Sequence, residues 1–358
     1  MLLLAAVGLV VAAHWPREST PYEDGDFSGL ATTSVSTIPT RPEIAAPATG
    51  TTATTQSVTT TTSSSTSTTI GAAASTTTAE PRLGFDPGLA MSHIRALAED
   101  IGPRKSGTAA EDTAVGYGAE YLESLGYWVM ITDVPLPNGT FSHNVQAVKT
   151  GSSDRVIVVG GHVDSVTGAP GANDNASGAA VVLELARSLR DVDTTATIEF
   201  VLFGAEEMVD SNPDHHHYGS RYFVADMTAE ERSSLVGMIS VDMVAYGTTF
   251  VVRNMERGPQ ELTDMLLACS AANGYGAKSL KDPGTYGWSD HEPFELAGYP
   301  AAWVEWRQDP EYHTPGDNWN HVKSKGALVE RAGDMLFGFL RGLEATDLQV
   351  LADARDLE

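Results

Sequence analysis

Along the middle of this chain, continuous apolar runs alternate with stretches whose apolar residues recur at helical spacing. The segments at 156–161 (VIVVGG), 197–204 (TIEFVLFG), 237–241 (GMISV) and 300–306 (PAAWVEW) are rich in β-branched and aromatic residues. That is the pattern of strands buried on both faces. Weaker strand patterns lie at 127–132 and 144–148. Helices are predicted at 87–99, ending before Gly102-Pro103, and at 109–125, 177–189, 227–235, 259–272 and 325–343. Strands alternating with helices predict an α/β fold, a three-layer α/β/α sandwich around a mostly parallel central sheet. In such sheets ligands bind beyond the carboxyl ends of the strands.

Composition divides the chain further. Residues 1–13 are apolar and read as a signal or anchor remnant, residues 14–81 as a stalk, 82–343 as the catalytic domain and 344–358 as an acidic tail. Sixteen of the twenty residues from Thr51 to Ile70 are Ser or Thr, too few apolar groups to offset the entropy of ordering, so the stalk is expected to be disordered. An apolar start followed by such a stalk predicts export to the extracellular surface or beyond. The single cysteine, Cys269, excludes an intrachain disulfide or a cysteine metal site. A formal net charge of −25 argues against nucleic acid and anionic membrane as partners.

The candidate chemistry sits where the apolar runs end. His162, Asp174, Glu207, Asp242 and His313 offer two imidazoles and three carboxylates, a set that can hold two zinc ions if one carboxylate bridges. Asp164, two residues after His162, can accept the imidazole N–H and fix its tautomer. Of the adjacent Glu206 and Glu207, one can bind metal while the other faces water as general base. Asp242 is a lone acid in an apolar run, costly to bury unless paired or metal-bound. Tyr312 can donate its phenolic O–H to a developing oxyanion.

Together HVDS, GANDNASG, FGAEE, SVDM, WSDHEPF and YHTPGD resemble the zinc exopeptidases of the leucine-aminopeptidase type, over about residues 88–343. Relatives of that family include plasma glutamate carboxypeptidase and the glutaminyl cyclases. The resemblance implies two zinc ions bridged by Asp174, one also held by His162 and Asp242, the other by Glu207 and His313. It further implies Glu206 as general base, Tyr312 as stabiliser of the tetrahedral intermediate, and peptides with a free N-terminus as substrates.

Two departures from the family pattern matter. Trp288 stands where some members carry an arginine, so Trp288 with Tyr246, Tyr286 and Tyr299 is expected to rim an apolar substrate pocket. An insertion after the Glu pair carries His215, His216 and His217, either a solvated loop or a further metal site. A carboxypeptidase, with Arg253 or Arg307 receiving the substrate carboxylate, and a glutaminyl cyclase remain alternatives on this scaffold. A non-catalytic binding domain fits poorly, because every key position is present.

Overall fold

The computed structural model describes residues 84–357. The apolar start and the whole Ser/Thr-rich stalk, residues 1–81, lie outside them. Eight strands run in chain order: β1 Val129–Pro135, β2 Phe141–Lys149, β3 Val156–His162, β4 Thr197–Phe203, β5 Leu235–Val241, β6 Thr249–Asn254, β7 Lys278–Lys281 and β8 Ala301–Arg307. The helices are α1 Pro87–Arg95, extended by a π-helical turn to Ile101, α2 Ala109–Ser124, α3 Ala176–Leu189, α4 Tyr218–Asp226 and α5 Ala229–Ser234. They continue with α6 Glu261–Asn273, α7 His291–Leu296, α8 Trp319–Val322, α9 Gly326–Gly342 and α10 Ala345–Ala354.

One mixed sheet orders the strands β1-β2-β4-β3-β5-β8-β6-β7. Its centre, β4-β3-β5-β8, is wholly parallel. The outer pairings β1–β2, β2–β4 and β6–β8 are antiparallel. Alternation along each central strand feeds two cores. Ile198, Phe200 and Leu202 of β4 join Ile157 and Val159 of β3 under α1, α2, α3 and α9. Val201 and Phe203 with Val158 face the other way, onto Val224 of α4 and Phe294 of α7. A sheet covered on both faces requires continuous apolar strands, which is why these segments stand out in the sequence.

Three differences from expectation have physical reasons. The strands β6 (TFVVRN) and β7 (KSLK) are short and partly polar, and β7 has no second neighbour, so neither carries a buried-strand pattern. Tyr299, expected at the pocket rim, is 1% exposed, packed in the second core with its hydroxyl donating to the Arg232 carbonyl. Residues 344–358, acidic in composition, instead carry α10: its acids line the outer face while Leu348, Leu351 and Ala352 are buried. Among the described residues no helix is long and apolar enough to cross a membrane.

Candidate metal centre and active site

All five expected ligands converge at the carboxyl edge of the parallel strands. His162 is the last residue of β3 and Asp242 follows β5 directly. Glu206 and Glu207 follow β4 after a left-handed turn at Ala205 (φ 49°), so the pair leaves a loop rather than the strand itself. His313 (φ 57°) lies in the loop after β8. Left-handed non-glycine backbone also occurs at Met243 and His217. Such conformations persist where surrounding structure holds them, and they cluster at functional sites.

Asp174 stands between two imidazoles. Its Oδ1 is 3.2 Å from His162 Nε2 and its Oδ2 is 3.2 Å from His313 Nε2. Asp242 Oδ1 lies 3.6 Å from His162 Nε2, and Glu207 Oε2 lies 3.2 Å from His313 Nε2. The donors therefore fall into two groups sharing one carboxylate. His162 Nδ1 and Nε2, Asp174 Oδ2, Glu207 Oε1 and Asp242 Oδ1 are buried without a hydrogen-bond partner. Orphaned buried imidazole and carboxylate atoms are costly unless something else completes them. A pair of zinc ions fits this donor set, borderline nitrogen and hard oxygen ligands without sulfur. Burial works against ionising Asp174, but the His162 and His313 imidazoles beside it hold its carboxyl well below the usual range, as a shared ligand needs.

Residues outside the ligand set fix the loops. Asp164 Oδ1 is 3.4 Å from His162 Nδ1, and its two oxygens also accept the backbone N–H groups of Glu206 (3.1 Å) and Glu207 (3.2 Å). Asp317 does the same for Asn173 (2.7 Å) and Asp174 (3.0 Å). Asn175 caps α3 by accepting from Gly178 N–H and Met243 N–H. A Cβ on Gly178 would sit 1.8 Å from the Val241 carbonyl, so only glycine lets α3 start this close to β5. Arg104 is fully buried and donates to the Val163, Pro170 and Gly171 carbonyls, bracing the loop that carries Asp174. Asp317 sits inside the YHTPGD motif and was legible as part of it. Arg104 had no periodicity or spacing to mark it.

Glu206 places Oε2 3.6 Å from His162 Nε2 and Oε1 2.9 Å from His217 Nε2. Burial pushes its carboxyl up, against the pull of His162 and His217. Tyr312 stacks on His313 with ring centroids 3.7 Å apart. Although the residue as a whole is 41% exposed, desolvation of its hydroxyl and the carboxylates of Asp174 and Glu207 raise its phenol, so the hydroxyl stays protonated.

A cavity of about 250 Å³ opens onto this centre. Trp288 and Trp303 line it, with Met243, Pro283, Arg253 and Arg307. Tyr246 and Tyr286 are not among its walls: Tyr246 stacks on His321 at 3.9 Å, and the Tyr286 hydroxyl donates to Asp214. Arg253 is committed to Asp282 and to Glu305 (2.7 Å) and lies 4.2 Å over the Trp303 ring. Of the three inserted histidines, His215 stays on the surface against Asp210 while His216 and His217 turn inward and are buried.

Comparisons with known proteins agree with this geometry. Aminopeptidase YwaD of Bacillus subtilis is 31% identical over 193 residues, 51% of this chain and 39% of that protein. The "Probable lipoprotein aminopeptidase LpqL" of Mycobacterium tuberculosis is 27% identical over 61% of this chain and 49% of its own. The chain thus spans about half the length of the curated relatives it matches. Among solved structures, BSAP, a zinc aminopeptidase from Bacillus subtilis, has the same fold, with a TM-score of 0.64 at 20% identity over 75% of this chain and 98% of its own. A glutaminyl cyclase from Porphyromonas gingivalis also shares it, with a TM-score of 0.60 at 22% identity over 72% of this chain and 98% of its own. A family model described as peptidase family M28 matches residues 144–338, more than half of the sequence, and the chain belongs to that family.

Proposed function

We propose that this protein is a di-zinc aminopeptidase that removes the first residue from peptides with a free N-terminus. The observation that carries the reading is the division of Asp174, one oxygen toward His162 and the other toward His313. A carboxylate split between two imidazoles suits two metals sharing one ligand, whereas in a single-metal site the second imidazole would serve only as its hydrogen-bond partner. His162, Asp242 and Asp174 would hold one zinc, and Glu207, His313 and Asp174 the other.

When bound, the zinc pair supplies an acidified water as nucleophile and polarises the scissile carbonyl. The chain's own residues do the rest. Glu206 takes the proton of the attacking water on Oε2 and passes it to the leaving amine. Tyr312 donates its O–H to the oxyanion that develops on the carbonyl oxygen. Trp288 and Trp303 offer apolar surface to the first side chain. Arg253 already faces two carboxylates, which leaves it poorly placed to receive a substrate carboxylate, so a carboxypeptidase would have to use Arg307, which lines the cavity 3.7 Å from Glu305. Export is supported by the apolar and Ser/Thr-rich segments of the first 80 residues and by the name of the mycobacterial relative.

The test is a panel of aminoacyl-arylamides with an amine-blocked control, assayed with and without chelator. Activity on free amines only, lost to chelator, is expected. Cyclisation of N-terminal glutamine without arylamide cleavage would overturn the reading in favour of a cyclase. Within the Glu pair, Glu206→Gln should lower hydrolysis by at least ~10² while zinc stays bound. Glu207→Gln should instead lose zinc, and the reverse pattern would show the two roles exchanged.

A further inference from the structure

The insertion after the Glu pair does more than lengthen a loop. His217 adopts a left-handed conformation (φ 55°), and its N–H donates to the Glu206 carbonyl at 2.8 Å. Tyr218 and Gly219 donate in turn to the Ala205 and Gly204 carbonyls, so the start of α4 is stitched along residues 204–206. This delivers the His217 ring to the side chain of the proposed base. Nε2 lies 2.9 Å from Glu206 Oε1, and Nδ1 lies 2.7 Å from Glu292 Oε2. Glu292 Oε1 is anchored by the Gly287 N–H. All three side chains are buried.

Glu206 needs such a restraint. Its carboxylate, His162 and Asp242 can bring one donor atom each within 4.8 Å of one another, so Glu206 is near enough to act as a metal ligand itself. A carboxylate bound to a divalent cation is a much weaker base, because the cation's charge disfavours the proton. A charge-assisted hydrogen bond on Oε1 fixes the rotamer and leaves Oε2 alone facing the centre. We propose that His217, oriented by Glu292, is a positioning residue that holds Glu206 as general base and keeps it from becoming a metal ligand. This rests on the reading of Glu206 as the base.

His216, His217 and Glu292 can bring one donor atom each within 4.8 Å of one another, but their contacts favour a hydrogen-bonded set over a third metal site. Both His217 nitrogens already meet carboxylates at hydrogen-bond distance, unlike the orphaned atoms of the metal centre. A guanidinium occupies the place beside them: Arg221 is 3.7 Å from Glu292 Oε2 and 3.2 Å from His216 Nε2. Although burial disfavours a charged imidazole, Glu206 and Glu292 outweigh it and raise His217 to about 10, so it donates in both directions.

The test combines kinetics, metal content and ring spectroscopy. Partners of this kind typically contribute about 10–100-fold, so His217→Ala should lower kcat by roughly that factor with KM little changed and zinc at two equivalents. His217→Gln keeps one donor and should recover part of the loss. In a Glu206→Gln background His217→Ala should cost nothing further, because its effect runs through Glu206. In zinc-free, ¹⁵N-histidine-labelled protein, the His217 ring should show two hydrogen-bonded N–H signals, one of which shifts in Glu206→Gln. That measurement needs no variant of His217 to fold. Wild-type kcat in His217→Ala, an equal loss in the Glu206→Gln background, a single ring N–H, or release of a third zinc would each overturn the proposal. Full activity in Glu206→Gln would overturn it by removing the base itself, a result distinct from all four.

Discussion

If Asp174 is shared, its neutral isostere should cost twice what any other ligand costs. Asp174→Asn keeps the shape and removes the charge that both imidazole groups face at 3.2 Å. A ligand that binds only the native state stabilises it by about 4 kcal/mol when present at ~1,000 times its dissociation constant. Two zinc ions under that condition contribute about 8 kcal/mol. For a domain of this size each kcal/mol moves the unfolding temperature by roughly 2–4 °C, so chelation should lower it by roughly 15–30 °C. Asp174→Asn should show most of that drop without chelator, and Asp242→Asn about half.

The metal-free state supplies a second expectation. There Asp174 lies between the His162 and His313 imidazoles, while Glu206, Glu207 and Asp242 crowd the same buried centre. Neutralising Asp174 takes their shared partner from the two imidazoles that hold its carboxyl well below the usual range, so in chelator Asp174→Asn should unfold below the chelated wild type. Scanning calorimetry with parallel elemental analysis measures both effects. One zinc retained by Asp174→Asn, with a temperature drop no larger than that of Asp242→Asn, would refute the shared carboxylate.

Other expectations follow from single side chains. Trp288→Ala should enlarge the cavity and change the ranking among Leu, Phe and Ala arylamides by roughly 1–3 kcal/mol in kcat/KM terms; an unchanged ranking with lowered stability would make Trp288 structural only. Burial lowers His93 from 6.5 to about 4, so the folded state keeps it neutral: its contribution is full above pH 6.5 and lost as pH falls toward 4. His93→Phe should therefore weaken the acid dependence of stability in that window by about 3 kcal/mol, and an unchanged dependence in urea titrations at pH 7 and 4.5 would contradict this. Leu351→Ala should destabilise by about 2–5 kcal/mol, because Leu351 is fully buried in α10; a loss within ~0.5 kcal/mol would mean that helix is dispensable.

The central sheet was legible because a strand buried on both faces must be apolar at every position, and β3, β4, β5 and β8 are nearly so. The five candidate ligands stood out for a related reason: His162, Glu207 and Asp242 interrupt or follow such strands, where an ionisable group is conspicuous. The pocket rim was not. Whether an aromatic ring faces a cavity depends on loop geometry, and Tyr246, Tyr286 and Tyr299 each found other partners, an imidazole, a carboxylate and a second core. α10 was masked by composition, since its outer face carries the acids while three residues at helical spacing carry the packing. His217 was singled out as a possible metal ligand; its contacts with Glu206 and Glu292 require the chain to turn back at a left-handed residue, which spacing does not show.

The arrangement of acids that do not bind metal explains how such a centre keeps its shape before metal arrives. Asp164, after β3, holds the backbone of Glu206 and Glu207 after β4. Asp317, after β8, holds the backbone of Asn173 and Asp174 after β3. The loops carrying Asp174 and Glu207 are thus each tied by a carboxylate from a different loop, through charge-assisted bonds stronger than neutral ones. These braces add negative charge to a centre that already has an excess. Arg104 offsets part of it: burial lowers its guanidinium to about 10, yet it faces Asp164, Asp317, Asp174 and Glu207 as well as the carbonyls it braces. One buried cation within reach of four carboxylates leaves a remainder of negative charge. Two divalent ions would cancel that remainder, so the bracing that preorganises the ligands also supplies part of the electrostatic attraction for the metals.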